Sequence, residues 1–276
     1  MEFIKAVASG NDFVLVDLFK NNKALTKNRA KKLAQQLCQR KLSVGADGLL
    51  VVERSQRADF KMRVINPDGS EVDMCGNGAR CIALYAIDAG IVRSAKMKIE
   101  TKAGILQGEV KRDRIKIKMS DAKDLRREFN LNINGQTYNV NYVNTGVPHV
   151  ICFVQNLNNY DVGEIGRTIR YHPEFQPAGT NVDFVEVLDE THIKVRTYER
   201  GVEDETLACG TGCVAASIIA AFEMKQSPDG LHKIRVATMS TEALTVYFKV
   251  KKDNIYDVFL EGKAKLIYRG KVLEGV

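Results

Sequence analysis

Apolar and polar positions alternate with the strand period through much of the chain, interrupted by a few stretches of helical spacing. Phe3 to Asp17 reads as a strand, a turn at Ser9-Gly10-Asn11-Asp12 and a second strand, Phe13-Val14-Leu15-Val16. Thr26 to Gln39 carries the helical spacing, with Thr26 placed as its N-cap. The glycine-bearing turn Val44-Gly45-Ala46-Asp47-Gly48 leads into an apolar strand, Leu49 to Glu53. Phe60 to Ile65 alternates and ends at the strong turn signal Asn66-Pro67-Asp68-Gly69. The apolar run Ile82 to Ile87 belongs to a second helix, beginning at Cys75 and stopping near Gly90. Short alternating strands fill Lys96 to Met119.

The same order then recurs. Asn144-Thr145-Gly146 precedes the strand His149 to Phe153, and a helical stretch lies near Val162 to Arg170. Gly179-Thr180-Asn181 leads into the strand Val182 to Val187, and His192 to Tyr198 alternates before Glu199-Arg200-Gly201. A helix beginning at Cys209 follows, then alternating strands to about Leu260. Gly45 and Gly179 each precede their cysteine by 30 residues. The pattern predicts an α+β fold of two pseudo-symmetric domains, each a curved, mostly antiparallel sheet wrapped around a central helix. The halves are placed at 1–118 and 119–262, with a C-terminal strand, 263–276, joining the first. A cleft between two such domains, with a cysteine presented from each side, is the expected site.

The two helix starts, Met74-Cys75-Gly76-Asn77-Gly78 and Ala208-Cys209-Gly210-Thr211-Gly212, carry the chemistry. A helix N-terminus offers unpaired N–H groups and the positive end of the macrodipole, and glycines let a ligand approach the backbone. A thiol there is expected to have a lowered pKa, and an anion is welcome beside it. Two matched acid/base groups on opposite sides of one carbon suit stereoinversion. One thiolate removes the α-proton while the other thiol delivers a proton to the opposite face. The N–H groups near Gly76-Asn77 and Gly210-Thr211 would hold the carboxylate and the developing enolate charge. Such a mechanism needs no metal and no carbonyl cofactor.

Other readings compete. Cys38, Cys81, Cys152 and Cys213 read as packing residues. A zinc site lacks a Cys-x-x-Cys pair and a histidine pair at helical spacing. Gly210-x-Gly212-x-x-Ala215 matches a dinucleotide fingerprint only superficially, with no parallel βαβ unit or suitably spaced acid to support it. A redox role lacks a close-spaced dithiol, and a non-catalytic small-molecule-binding protein could keep the same cleft.

Composition narrows the setting. At 276 residues the chain exceeds one typical domain. No apolar run is long enough to cross a membrane, and the N-terminal residues show no secretion layout, so the sequence reads as cytoplasmic with reduced thiols. A net charge of +7, spread along the chain, reads as a solvated surface rather than a nucleic-acid footprint, and suits an anionic substrate.

The chain resembles the diaminopimelate epimerase family, a cofactor-independent member of the two-cysteine racemase superfamily. Besides the two cysteine motifs, the resemblance rests on Gly10-Asn11-Asp12-Phe13, Val44 to Gly48, Asn66 to Glu71, Gly146-Val147-Pro148-His149, Gly179 to Phe184 and Tyr198-Glu199-Arg200-Gly201. It implies interconversion of LL- and meso-2,6-diaminopimelate in lysine and peptidoglycan precursor synthesis, often by homodimers. It casts Cys75 and Cys209 as the acid/base pair. Gly76, Asn77, Gly210, Thr211 and Glu199 would hold the reacting amino-acid end. Asn11, Asn66, Asn181 and Arg200 would hold the distal end, Arg200 as a fork on its carboxylate. His149 is a candidate to orient groups near the cleft, a structural role being the alternative. Two positions depart from the pattern: Val147, where many members carry asparagine, and Gly48, where some carry glutamine. Both fall on the specificity side, so a related racemase acting on another amino acid remains the second enzymatic reading.

Overall fold

The computed structural model describes residues 1–19, 24–133, 135–224, 229–240 and 242–273. The chain is α+β and divides into two units, Met1–Ile117 with Gly262–Val276, and Lys118–Glu261. The last three residues of the expected C-terminal strand lie outside the described residues.

The first unit opens with the hairpin β1 (Glu2–Ala8) and β2 (Asn11–Asp17). Helix α1 (Lys27–Leu37) starts as expected, with the Thr26 hydroxyl accepting the Arg29 N–H at 3.3 Å. It leads to β3 (Gly48–Glu53), parallel to β2, and then to β4 (Phe60–Ile65), antiparallel to β3, with the two-residue β5 (Glu71–Val72) on its end. Helix α2 (Gly76–Asp88) crosses to β6 (Lys96–Thr101), which is parallel to β4. β7 (Gly104–Lys111) and β8 (Arg114–Lys118) complete an antiparallel meander.

The second unit repeats this plan. β9 (Lys123–Ile133) and β10 (Gln136–Asn144) pair antiparallel, and β10 pairs antiparallel with β11 (Pro148–Phe153). Helix α3 (Val162–Arg170) crosses to β12 (Asn181–Asp189), parallel to β11. β13 (His192–Glu199) is antiparallel to β12 and carries the short β14 (Asp204–Thr206). Helix α4 (Gly210–Met224) crosses to β15 (Gly230–Ala237), parallel to β13, followed by β16 (Ala243–Lys251) and β17 (Asn254–Lys263). The chain then returns to the first unit as β18 (Lys265–Lys271), antiparallel to β1, in the place that β9 takes beside β10.

Sheet alternation decides what faces what. β3 is buried at every position because helices cover both of its faces. Leu49 and Val51 pack with Ala30, Leu33, Ala34 and Leu37 of α1. Leu50 therefore points the other way, and its Cδ2 would sit 2.9 Å from a Cβ at Gly78 of α2. In the second unit Val182 and Phe184 pack with Val162 and Ile169 of α3, so Asp183 points toward α4. The central helices are apolar nearly all round, as burial inside a curved sheet demands.

The β9–β10 hairpin has no counterpart in the sequence reading. Phe129, Leu131 and Ile133 alternate with asparagines along β9, and Leu131, Ile133 and Val140 are buried, so the tip carries a strand signal that the sequence reading passed over. Only the exposed start of β9 and the register shifts at Val140/Tyr142 and Tyr142/Asn144 obscure it.

Helix α3 approaches β13 at Gly166, where a Cβ would fall 2.5 Å from the Tyr198 Cβ. Gly166→Ala gains about 1 kcal/mol of helix propensity but overpacks a rigid contact costing roughly 1–3 kcal/mol. A net loss on the order of 1 kcal/mol is expected, read as a lower urea midpoint at unchanged slope. A raised midpoint would show that the helix can step back freely.

Candidate active site

Each cysteine heads its unit's central helix. Cys75 is the N-cap of α2, with extended backbone, and its sulfur accepts the Gly78 N–H at 3.4 Å. Cys209 directly precedes α4, and its carbonyl accepts the Cys213 N–H at 2.9 Å, the first turn of the helix. Cys75 is partly exposed and Cys209 is buried. At Gly76 an added Cβ would meet nothing within 4 Å, leaving that backbone open to a ligand. Cys38, Cys81, Cys152 and Cys213 are buried in the packing, and burial pushes the Cys152 thiol well above its ordinary range.

In the first unit a polar network ties the Cys75 loop to β1 and β2. Asn77 Nδ2 donates to Asn11 Oδ1 at 2.5 Å, and Asn77 Oδ1 accepts from Arg80 Nη2 at 2.7 Å. Arg80, fully buried, also donates to Ser9 Oγ at 2.7 Å. Asn11 Nδ2 donates in turn to Asp47 Oδ2 at 3.2 Å. Asp47 and Asp12 share Arg40, and Asp12 pairs with the buried Lys5 at 2.8 Å. Burial alone would raise the Asp12 carboxyl, but Lys5 and Arg40 outweigh it and hold it below the ordinary carboxylate range. Lys5 also donates to the Gly45 carbonyl, which fixes the turn before β3. Asn66 closes its own turn, donating from its side chain to Ser70 Oγ at 3.1 Å.

In the second unit the network runs to Cys209 itself. The sulfur lies 3.4 Å from Thr211 Oγ1, and Thr211 Oγ1 lies 3.0 Å from His149 Nε2. His149 Nδ1 lies 2.6 Å from Asp183 Oδ2, and Asp183 Oδ1 accepts from Thr197 Oγ1 at 2.7 Å. The Thr145 hydroxyl donates to the Thr211 carbonyl at 3.1 Å. Gly212 is required here, because a Cβ would lie 2.2 Å from Asp183 Oδ1. Glu199 accepts from Thr206 Oγ1 at 2.9 Å, and burial raises its carboxyl above the ordinary range, partly offset by that bond. Asn181 is held at both ends, donating to the Pro148 carbonyl at 3.0 Å and accepting the Arg200 N–H at 2.9 Å. Arg200 Nη1 donates to the Ala178 carbonyl at 3.1 Å.

The structure thus joins Asn11 to Asn77, Asn181 to Arg200, and His149 to Thr211 and Cys209, while Asn66 bonds within its own turn. At Gly48 a Cβ would meet the Ile65 carbonyl at 3.3 Å and the Phe13 ring at 3.5 Å. Val147 uses its carbonyl to accept the Thr145 N–H at 3.1 Å. Asp183, Thr197, Arg80 and Asp47 were not singled out in the sequence. The inward register of Asp183 beside Val182 and Phe184 was the available signal, since a carboxylate facing the core needs partners.

One expectation is corrected. The Cys209 thiol is not lowered by its helix start. Burial pushes it well above the ordinary thiol value, and the charges of Glu199 and Asp183 push the same way. The Thr211 hydroxyl and the Gly212 N–H offset only part of this. Desolvation beside two carboxylates favours the protonated form of this thiol.

Comparison with known proteins agrees with this architecture. The family model for diaminopimelate epimerase matches residues 3–124 and 141–267. The chain belongs to the diaminopimelate epimerase family. It is 38% identical over 288 residues to the diaminopimelate epimerase of Aquifex aeolicus, covering 100% of this chain and 99% of that one. It is 43% identical over 230 residues to that of Archaeoglobus fulgidus, covering 79% and 80% of the two chains. Among solved structures, a PhzF-family phenazine biosynthesis protein from Bacillus anthracis superposes with a TM-score of 0.74 at 21% identity, over 99% of both chains. A hydroxyproline epimerase from Agrobacterium vitis superposes with a TM-score of 0.68 at 15% identity, over 99% of this chain and 90% of that one. These two likenesses establish the fold.

The raised Cys209 thiol has a direct readout. Glu199→Gln removes one of the charges that oppose ionisation, so the thiol moves back down and more thiolate is present at pH 8.5. Alkylation of the Cys209 peptide by iodoacetamide, followed by mass spectrometry, is expected to run several-fold faster than in the parent. Equal rates would show that Glu199 does not reach the sulfur.

Proposed function

We propose that this chain interconverts LL- and meso-2,6-diaminopimelate with Cys75 and Cys209 as its proton-transferring pair, serving lysine biosynthesis in the cytoplasm. The observation that carries the reading is the duplicated helix start: two equivalent central helices, each headed by a cysteine followed by Gly-x-Gly. Family membership gives the substrate class.

Cys209, buried beside carboxylates, is the acid in this direction, and the partly exposed Cys75 is the base. Cys75 takes the α-proton as a thiolate. The electron pair left on the α-carbon spreads into the α-carboxylate, and Cys209 gives its proton to the opposite face. The reverse direction exchanges the two roles. The N–H groups at the starts of α2 and α4 are the donors for the carboxylate as it gains charge. Asn77 is positioned for this by Asn11 and Arg80, and Thr211 by His149 and Thr145. Arg200 and Asn181, bonded to one another, are proposed for the distal amino-acid end with Asn11 and Asn66. The family resemblance assigns Val147 to that end, where many members carry asparagine, which favours keeping a panel of other amino acids in the test.

No helix among the described residues is long and apolar enough to cross a membrane. We propose a homodimer, supported by β18, where Ile267 and Tyr268 are about half exposed.

The test is α-proton exchange in heavy water, followed by NMR, with reductant present and diaminopimelate offered beside free amino acids. Exchange with inversion is expected on diaminopimelate. Cys75→Ser and Cys209→Ser are each expected to slow turnover by about 10²–10⁴ while leaving ligand affinity measurable. Exchange confined to another amino acid would move the substrate and keep the mechanism. No exchange on any of them, from folded and reduced protein, would overturn the enzymatic reading in favour of a binding protein.

A further inference from the structure

Asp183 is the one carboxylate turned inward on β12, where the first unit has Leu50. The registers make the two positions equivalent: Leu49 pairs with Ile65, and Val182 with Tyr198. A cluster of apolar side chains would pack this site without a charge. The chain instead buries Asp183 completely, with His149 and Thr197 as partners, directly against Gly212. We propose that Asp183 is a positioning residue that sets the protonation of Cys209 through His149 and Thr211. The proposal rests on the reading of Cys209 as one of the proton-transferring pair.

Asp183 accepts from Thr197 on one oxygen and faces His149 Nδ1 at 2.6 Å with the other. In the neutral ring, Nδ1 therefore carries the imidazole proton and Nε2 is left as an acceptor. Thr211 has a single hydroxyl proton and two neighbours that could take it, His149 Nε2 at 3.0 Å and Cys209 Sγ at 3.4 Å. While Nε2 is bare, the hydroxyl donates there, and the Thr211 oxygen is left to accept the Cys209 S–H. Every donor then meets an acceptor only with Cys209 as a thiol. The thiolate form needs the hydroxyl to turn to sulfur, which strips Nε2 of its donor. The titratable groups around the sulfur are His149 on β11, Asp183 on β12 and Glu199 on β13. Among these, only the line from Asp183 to sulfur is bonded atom to atom.

When Cys209 gives its proton to substrate, the sulfur becomes a thiolate and the Thr211 hydroxyl can swing to it. In the opposite direction the S–H bond re-forms with the substrate proton, and the hydroxyl returns to Nε2. No other reactant is needed. Asp183 acts on the reaction by fixing which tautomer His149 presents.

Asp183→Asn lets the ring take the other tautomer, with Nε2–H donating to the Thr211 oxygen and the hydroxyl left for sulfur. The experiment measures iodoacetamide alkylation of Cys209 against pH, in the full-length reduced protein, for the parent, Asp183→Asn, Thr211→Val and the double variant. Asp183→Asn is expected to lower the pH midpoint by about one unit, a tenfold larger thiolate fraction, at an unchanged plateau rate. In the Thr211→Val background that shift should fall by more than half. An unmoved midpoint overturns the proposal. So does a raised plateau, which reports loosened packing, or a full shift without Thr211, which reports charge acting through space. Where Asp183→Asn does not fold, ¹⁵N NMR of histidine-labelled parent protein decides. The Nδ1–H tautomer at His149 is expected, and Nε2–H would overturn the proposal. Turnover of diaminopimelate, read in the same samples, separates the two ideas. A midpoint shift without turnover in the parent sinks the epimerase reading alone, and turnover with an unmoved midpoint sinks the positioning role alone.

Discussion

The near-contact between each central helix and the sheet around it, made at Gly78 and Gly212, is the constraint from which the rest follows. A Cβ at either position would stand within 3 Å of a side chain on the neighbouring strand, Leu50 in one unit and Asp183 in the other. Only glycine lets the helix start sink that far into the sheet. The depth in turn decides where the cysteines sit, three residues earlier in the chain. It also decides how much water surrounds them. Cys75, at a helix start over a leucine, keeps part of its surface. Cys209, over a carboxylate and a histidine, is closed off.

This makes the duplication chemically unequal although the topology is repeated strand for strand. In one unit the residue two places after the cysteine is an asparagine tied to a buried arginine. In the other it is a threonine tied to a histidine and a buried aspartate. Two groups of the same side-chain type differ in their ease of ionisation only if their surroundings differ, and desolvation beside anions favours the protonated form at Cys209. Two identical half-sites would leave that difference to the substrate alone.

Much of this could be read before any coordinates. The helix starts and the repeat itself followed from periodicity, from the turn residues and from the equal spacing of Gly45 and Gly179 to their cysteines. The parallel crossovers did not: β2–β3 and β11–β12 are parallel, and α4 itself joins the parallel strands β13 and β15 where the sequence reading expected no parallel unit. The resemblance on those motifs led to the family that the comparisons establish. The β9–β10 hairpin was missed although Phe129, Leu131 and Ile133 alternate with asparagines; only the exposed stretch from Lys123 to Glu128, opposite the register shifts, lacks a period-two signal. The expectation of two lowered thiols failed at Cys209 for a different reason. The helix end is a local feature visible in the chain order, whereas the burial and the charges of Glu199 and Asp183 are brought from other strands. Asp183 lay inside a quoted motif, but its role appears only when alternation along β12 is combined with the packing of α3 on the other face.

The place of β18 has a consequence for synthesis on the ribosome. The unit Lys118–Glu261 is continuous in the chain and can close its sheet as soon as it has emerged. The other unit cannot. Its β1 waits for a partner about 260 residues later, the register running Glu2 to Lys271. For most of translation the first unit carries an open strand edge, and the half made first is the half finished last.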